Sequence, residues 1–164
     1  MNKKTLALLV VVLFAGIAVG FVSEASLGQA PSKPPKYADI TLISEGHEGG
    51  MLGPDNKTHD TIMPSNFTVY VGEIVNLTII NYDEGPHTFT SPGLGVNFKF
   101  PGTKGNGVPP VSYFQFEATK PGVFFWYCNT PCDKGQGGWA MTSGPNGEQA
   151  QPGYMAGYVT VLNS

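Results

Sequence analysis

Beyond residue 22, short runs of β-branched and aromatic residues alternate with clusters of Gly, Pro, Asn and Asp, and no stretch keeps a helical period long enough for a helix. The runs at 38–44, 66–71, 74–81, 88–91, 112–118, 122–128 and 157–162 each predict a strand. Within 112–118, the alternation sets Tyr113 and Gln115 on one face and Phe114 and Phe116 on the other, so the phenylalanines are expected in the core. Two links read as hairpin turns. Val71-Gly72-Glu73 would join 67–70 to 74–80, and Lys120-Pro121-Gly122 would join 113–117 to 124–127. Many short strands at this spacing predict an all-β chain folded as a Greek-key β-sandwich.

The first residues follow a different pattern. Lys3 and Lys4 precede an uninterrupted apolar stretch at 5–22, which predicts a transmembrane or signal helix. At about 1.5 Å per residue the stretch reaches roughly 27 Å, close to the roughly 30 Å of a hydrocarbon core. Ser23-Glu24-Ala25 offers the small residues that a signal peptidase accepts, so cleavage after Ala25 is the competing expectation. Either way the two lysines favour the cytoplasm, which sets the rest of the chain on the extracytoplasmic side of the cytoplasmic membrane. Sequons at Asn56, Asn66 and Asn76 agree with an outward-facing glycoprotein. Residues 23–36 are small, polar and Pro-rich, as in an extended linker, leaving 37–164 as the folded domain.

Composition then excludes classes. With 22 Gly, 14 Pro and 41% hydrophobic residues the chain fits one strand-and-turn domain plus its leader. The formal charge is −3, arginine is absent and the lysines are scattered, so nucleic acid is not an expected partner.

The candidate chemistry lies in the only two cysteines, Cys128 and Cys132, directly after Phe124-Phe125-Trp126-Tyr127. His87 lies upstream and Met155 precedes the last strand run. Thiolate, imidazole and thioether are the donors that suit copper, and they point to an electron-transfer site. An even cysteine count in an exported domain equally allows a Cys128–Cys132 disulfide.

The stretch from about 67 to 161 resembles a cupredoxin domain, and specifically the copper domain of subunit II of haem-copper terminal oxidases. The resemblance is carried by Asn81-Tyr82-Asp83-Glu84-Gly85-Pro86-His87-Thr88-Phe89, Ser91-Pro92-Gly93-Leu94-Gly95-Val96 and Phe100-Pro101-Gly102. It continues through Lys120-Pro121-Gly122-Val123-Phe124, Cys128-x3-Cys132 and Met155-Ala156-Gly157-Tyr158-Val159-Thr160-Val161. It implies a domain behind a membrane segment, holding the dinuclear CuA centre and passing electrons to the haem-copper subunit. His87 matches the family's first histidine ligand, Cys128 and Cys132 its bridging cysteines, and Met155 its methionine.

The family's second histidine, four residues after the second cysteine and three before the methionine, has no match. An insertion at 133–153 separates those two positions, and they hold Gln136 and Pro152. Gln136, His47 and His59 are the candidate additional ligands, and Trp139 in the Gly-rich insertion is a candidate docking residue. The expected cofactor is one or two copper ions, CuA-like or mononuclear.

The expected function is that of a membrane-tethered electron carrier in a respiratory chain, of the cytochrome c oxidase subunit II kind. Its partners would be haem-copper oxidase subunit I or another membrane complex, a redox donor protein and the membrane. The alternative is a metal-free structural or assembly subunit whose cysteines are bonded. A copper enzyme with an open coordination position is a third reading, without an identifiable substrate.

Overall fold

The computed structural model describes residues 34–46, 48–105, 107–142 and 150–164. The apolar stretch 5–22, most of the linker and His47 lie outside the described residues, and no helix among those described is long and apolar enough to cross a membrane.

Eleven strands carry the domain: β1 (Lys36–Glu45), β2 (Met51–Leu52), β3 (Thr58–His59), β4 (Thr61–Met63), β5 (Asn66–Tyr70), β6 (Glu73–Asn81), β7 (His87–Ser91), β8 (Val96–Phe100), β9 (Val111–Glu117), β10 (Gly122–Tyr127) and β11 (Ala156–Leu162). They form a four-stranded sheet, β4-β1-β6-β9, a five-stranded sheet, β5-β11-β10-β7-β8, and the small ribbon β2-β3. Two pairs are parallel, β1 with β6 and β5 with β11; the other pairs are antiparallel.

The core lies between the two sheets. Leu42, Val75, Leu77, Ile79 and Phe116 face it from one side, and Val69, Phe89, Trp126, Val159 and Val161 from the other. Phe89 stacks on Trp126 with ring centroids 4.8 Å apart, and Phe98 of β8 stacks across on Phe114 of β9 at 4.6 Å, tying the sheets together. In β9, Tyr113 is exposed and Phe116 is buried, as the alternation predicts. The sequence reading missed β8, whose Val96 and Phe100 are buried while Asn97 and Lys99 are exposed.

Both expected hairpins are corrected. β5 belongs to one sheet and β6 to the other, and β9 and β10 are divided in the same way, so each link arches between sheets. β5 and β6 each carry one apolar face, and the arch lets those faces pack on each other across the core. The short links are held to their surroundings: Val71 N–H donates to Leu162 O at 2.8 Å, Gly72 N–H to Ala118 O at 2.8 Å, and Ala118 N–H to Glu73 O at 2.9 Å. Gly72 has φ 83°, in the left-handed region where glycine is at ease.

Candidate metal centre

Three strand ends converge at one end of the five-stranded sheet. Tyr127, the last residue of β10, pairs with Thr90 of β7 and with Ala156 of β11. One step further along, Cys128 N–H donates to Met155 O at 2.8 Å and Asn129 N–H to Thr88 Oγ1 at 2.8 Å. The register therefore brings His87, Cys128 and Met155 to a common edge although they are far apart in the chain.

His87, Cys128 and Cys132 form the metal-competent group among the described residues, all buried, with their donor atoms within 4.8 Å of one another. His87 Nδ1 lies 3.0 Å from Cys132 Sγ and 3.8 Å from Cys128 Sγ, and the sulfurs are 3.3 Å apart. Both cysteines are free, so the bonded pair of the alternative reading is not formed here. A tetrahedral ion with arms of about 2.0 Å to nitrogen and about 2.3 Å to thiolate spans donor separations of roughly 3.5–3.8 Å. The three donors fit such an ion with movements of about half an ångström.

The surroundings fix the ring and the charge. His87 Nε2–H donates to Asp83 Oδ2 at 2.6 Å, leaving Nδ1 for the sulfurs. Asp83 is set in turn by Asn81, whose Oδ1 accepts from Asp83 N–H at 3.0 Å and whose Nδ2 donates to Gly85 O and Pro101 O, each at 2.9 Å. Burial opposes a charged imidazole, but Asp83 on one nitrogen and Cys128 near the other outweigh it, and the His87 pKa is pushed up to about 9. The Cys132 thiol hydrogen-bonds Cys128 and, with His87 and the Thr88 amide at 3.4 Å, holds Cys128 at about 3 against the cost of burial. Cys132 is driven far above the usual thiol range by its neighbour and by burial. The ring sits nearer Cys132, yet the negative charge settles on Cys128, which collects the most donors. Metal-free, the three groups titrate as one unit holding an imidazolium, a thiolate and a thiol.

The other predicted residues divide between the edge of the centre and the insertion. Met155 is fully buried, and its carbonyl ties the last loop to Cys128. His59 stands outside the cluster: Nδ1 and Nε2 lie 2.9 Å from Asp133 Oδ2 and Asp55 Oδ1 respectively, so both of its nitrogens are engaged. Gln136 sits in a 3-10 turn, Lys134–Gln136, within the insertion. Trp139 is part-buried, packed on His59 at 4.5 Å and Tyr154 at 5.0 Å. Sequence reasoning missed Asp83 as the partner of His87. A carboxylate four residues before a candidate ligand in a turn-rich loop was the available signal.

No protein-family model matches the chain, and no curated relative does. Among solved structures, a chain of a heme-copper terminal oxidase dimer matches over 96% of this chain and 95% of its own, at 17% identity and TM-score 0.46. The copper nitrite reductase of Nitrosomonas europaea matches over 79% of this chain at 19% identity and TM-score 0.50, and the multicopper oxidase mgLAC over 78% at 13% identity and TM-score 0.52. The matches span 42% and 39% of those two proteins. With two sheets packed in this order, the chain has the cupredoxin-type fold of these two copper proteins, and the buried His-Cys-Cys group at one end of its five-stranded sheet is placed to hold a metal ion.

Proposed function

We propose that this chain is an extracytoplasmic electron carrier, tethered to the cytoplasmic membrane by residues 5–22, which binds copper through His87, Cys128 and Cys132 with Met155 beside them. The observation that carries the reading is the convergence of one imidazole nitrogen and two thiol sulfurs, all buried, within 4.8 Å. Copper, when bound, supplies a one-electron couple. The chain's own contribution is rigidity: Asp83 holds the ring, Thr88 N–H contacts the Cys128 sulfur, and the β10–β11 ladder fixes the strand that ends at Cys128. Donors held in this way move little when the charge changes, which is what fast transfer requires. The electron acceptor is proposed to be a haem-copper oxidase subunit, supported by the motif order around these residues, and the donor a soluble or membrane redox protein.

Copper titration of the full chain is expected to develop intense thiolate-to-copper charge transfer, and the paramagnetic hyperfine pattern tells one copper from a mixed-valence pair. A colourless product with no bound copper would overturn the reading. Because loading displaces the protons of His87 and Cys132, affinity is expected to rise with pH by about a hundredfold per unit below about 9, where both protons are released, and by about tenfold per unit above it, where only the Cys132 proton remains to be displaced. Competition with a chelator of known pH dependence measures it.

Asp83→Asn replaces the carboxylate that orients His87 with a neutral amide. It is expected to weaken copper binding by roughly 10- to 100-fold without unfolding the domain. Chelator competition and an unchanged circular dichroism spectrum test both halves of that expectation.

A further inference from the structure

The insertion 133–153 begins immediately after Cys132 and ends just before Met155, so whatever pins its two ends also sets two of the groups around the centre. Asp133 pins the first end. It is 2% exposed and holds φ 58°, ψ 31°, a left-handed conformation that residues with a side chain adopt at a cost. Its N–H donates to Asp60 Oδ2, while its Oδ1 accepts from Asp60 N–H at 3.3 Å. Its Oδ2 accepts from Ala140 N–H at 2.8 Å and from His59 Nδ1–H at 2.9 Å.

His59 is the piece that closes this arrangement. Its side chain is fully buried, its Nε2 is held by Asp55 at 2.9 Å, and its ring is covered by Trp139 at 4.5 Å and met edge-on by Tyr154 at 6.0 Å. Tyr154 directly follows the insertion, where Ile62 N–H donates to Tyr154 O at 2.9 Å and Gln151 N–H to Ala140 O at 3.0 Å. One imidazole thus touches the residue after Cys132 and the residue before Met155.

We propose that His59 is a positioning residue for the centre: through its bond to Asp133 it holds the first end of the 133–153 insertion, and so fixes where Cys132 is presented, without itself being a ligand. The inference deepens the proposed function and, in its copper readout, rests on it. Losing that bond leaves the buried Asp133 carboxylate without its imidazole partner and the left-handed turn without support, and the Cys132 loop opens.

The test uses the full chain with three substitutions. Asn at 59 can set an amide N–H where Nδ1 stands, aimed at Asp133; Gln reaches the Nε2 position, aimed at Asp55; Leu fills space and makes neither bond. In the metal-free chain, alkylation of Cys132 by a small reagent is expected to speed up at least tenfold in His59→Leu and His59→Gln and to stay near the parent rate in His59→Asn. In the copper-titrated chain the first two are expected to weaken binding by roughly 10- to 100-fold and shift the charge-transfer bands, with His59→Asn restoring both. Parent-like alkylation and spectra in a folded His59→Leu chain would overturn the inference, as would rescue by Gln equal to rescue by Asn. Should the parent itself take no copper, the electron-carrier reading fails, and the alkylation series alone decides whether His59 holds the Cys132 loop. If His59→Leu does not fold, the Asn and Gln chains carry the same comparison.

Discussion

Cys128→Ser is expected to abolish thiolate-to-copper charge transfer and to lower copper affinity by more than the roughly 10- to 100-fold that the loss of an outer partner such as Asp83 costs. The asymmetry of the cluster is the reason. Cys128 is fully buried at the end of β10, receives the Thr88 amide at 3.4 Å and lies 3.3 Å from Cys132 Sγ and 3.8 Å from His87 Nδ1, so a hydroxyl in its place removes the sulfur that the strand end holds most firmly. His87→Ala is expected to act as strongly by a different route, since it takes away the nitrogen donor and leaves the Asp83 carboxylate facing an empty space. Cys132→Ser keeps the Cys128 sulfur and its Thr88 contact and should retain weak, spectrally altered binding. Optical titration of the three variants against a chelator ranks them. Equal, parent-like binding in Cys128→Ser would remove the sulfur from the centre. Denaturant unfolding of the metal-free chains separates loss of a ligand from loss of fold.

Much of this arrangement could be read from the residues because it is local in character. Strands β6, β9 and β11 advertise themselves by alternation and β-branching, and His87 and Cys128 stand at strand ends, where ligands of a sandwich collect. The misses have a common cause. Val71-Gly72-Glu73 has the chemistry of a tight turn, but the turn is indifferent to whether its strands bond side by side or face one another. That is decided by β1 and β11, which pair with β6 and β5 from elsewhere in the chain. Nothing local in the sequence shows that His59 meets Asp133, 74 residues away, or that Trp139 packs on His59 and Tyr154. β8 escaped notice between Pro92-Gly93 and Pro101-Gly102, where turn signals outweigh five alternating residues.

Trp126→Ala is expected to produce the largest loss of stability of any single change in the described domain, about 3–5 kcal/mol. Trp126 is fully buried, stacks on Phe89, and donates its indole N–H to Ser65 O at 2.8 Å. That oxygen is within reach only because Gly157, its partner across the β10–β11 ladder, has no side chain: a Cβ there would meet Ser65 O at 1.8 Å. Three residues thus depend on one another, the large ring filling the core, the carbonyl crossing over the glycine, and the glycine making room. Trp126→Phe keeps most of the burial but removes one of the two donors to Ser65 O, leaving Tyr158 N–H at 3.1 Å, and should cost about 0.5–1.5 kcal/mol. Gly157→Ala forces the Ser65 crossing outward and is expected to fall between the two. At roughly 3–5 °C per kcal/mol for a domain of this size, thermal unfolding of the metal-free chain resolves the series. Trp126 is two residues before Cys128 and on the same face of the strand, so the alanine variant should also blur the copper spectrum in proportion to the packing lost. A destabilised chain whose copper bands stay sharp would show instead that β7 and β11 hold the ligands without help from the core beneath them.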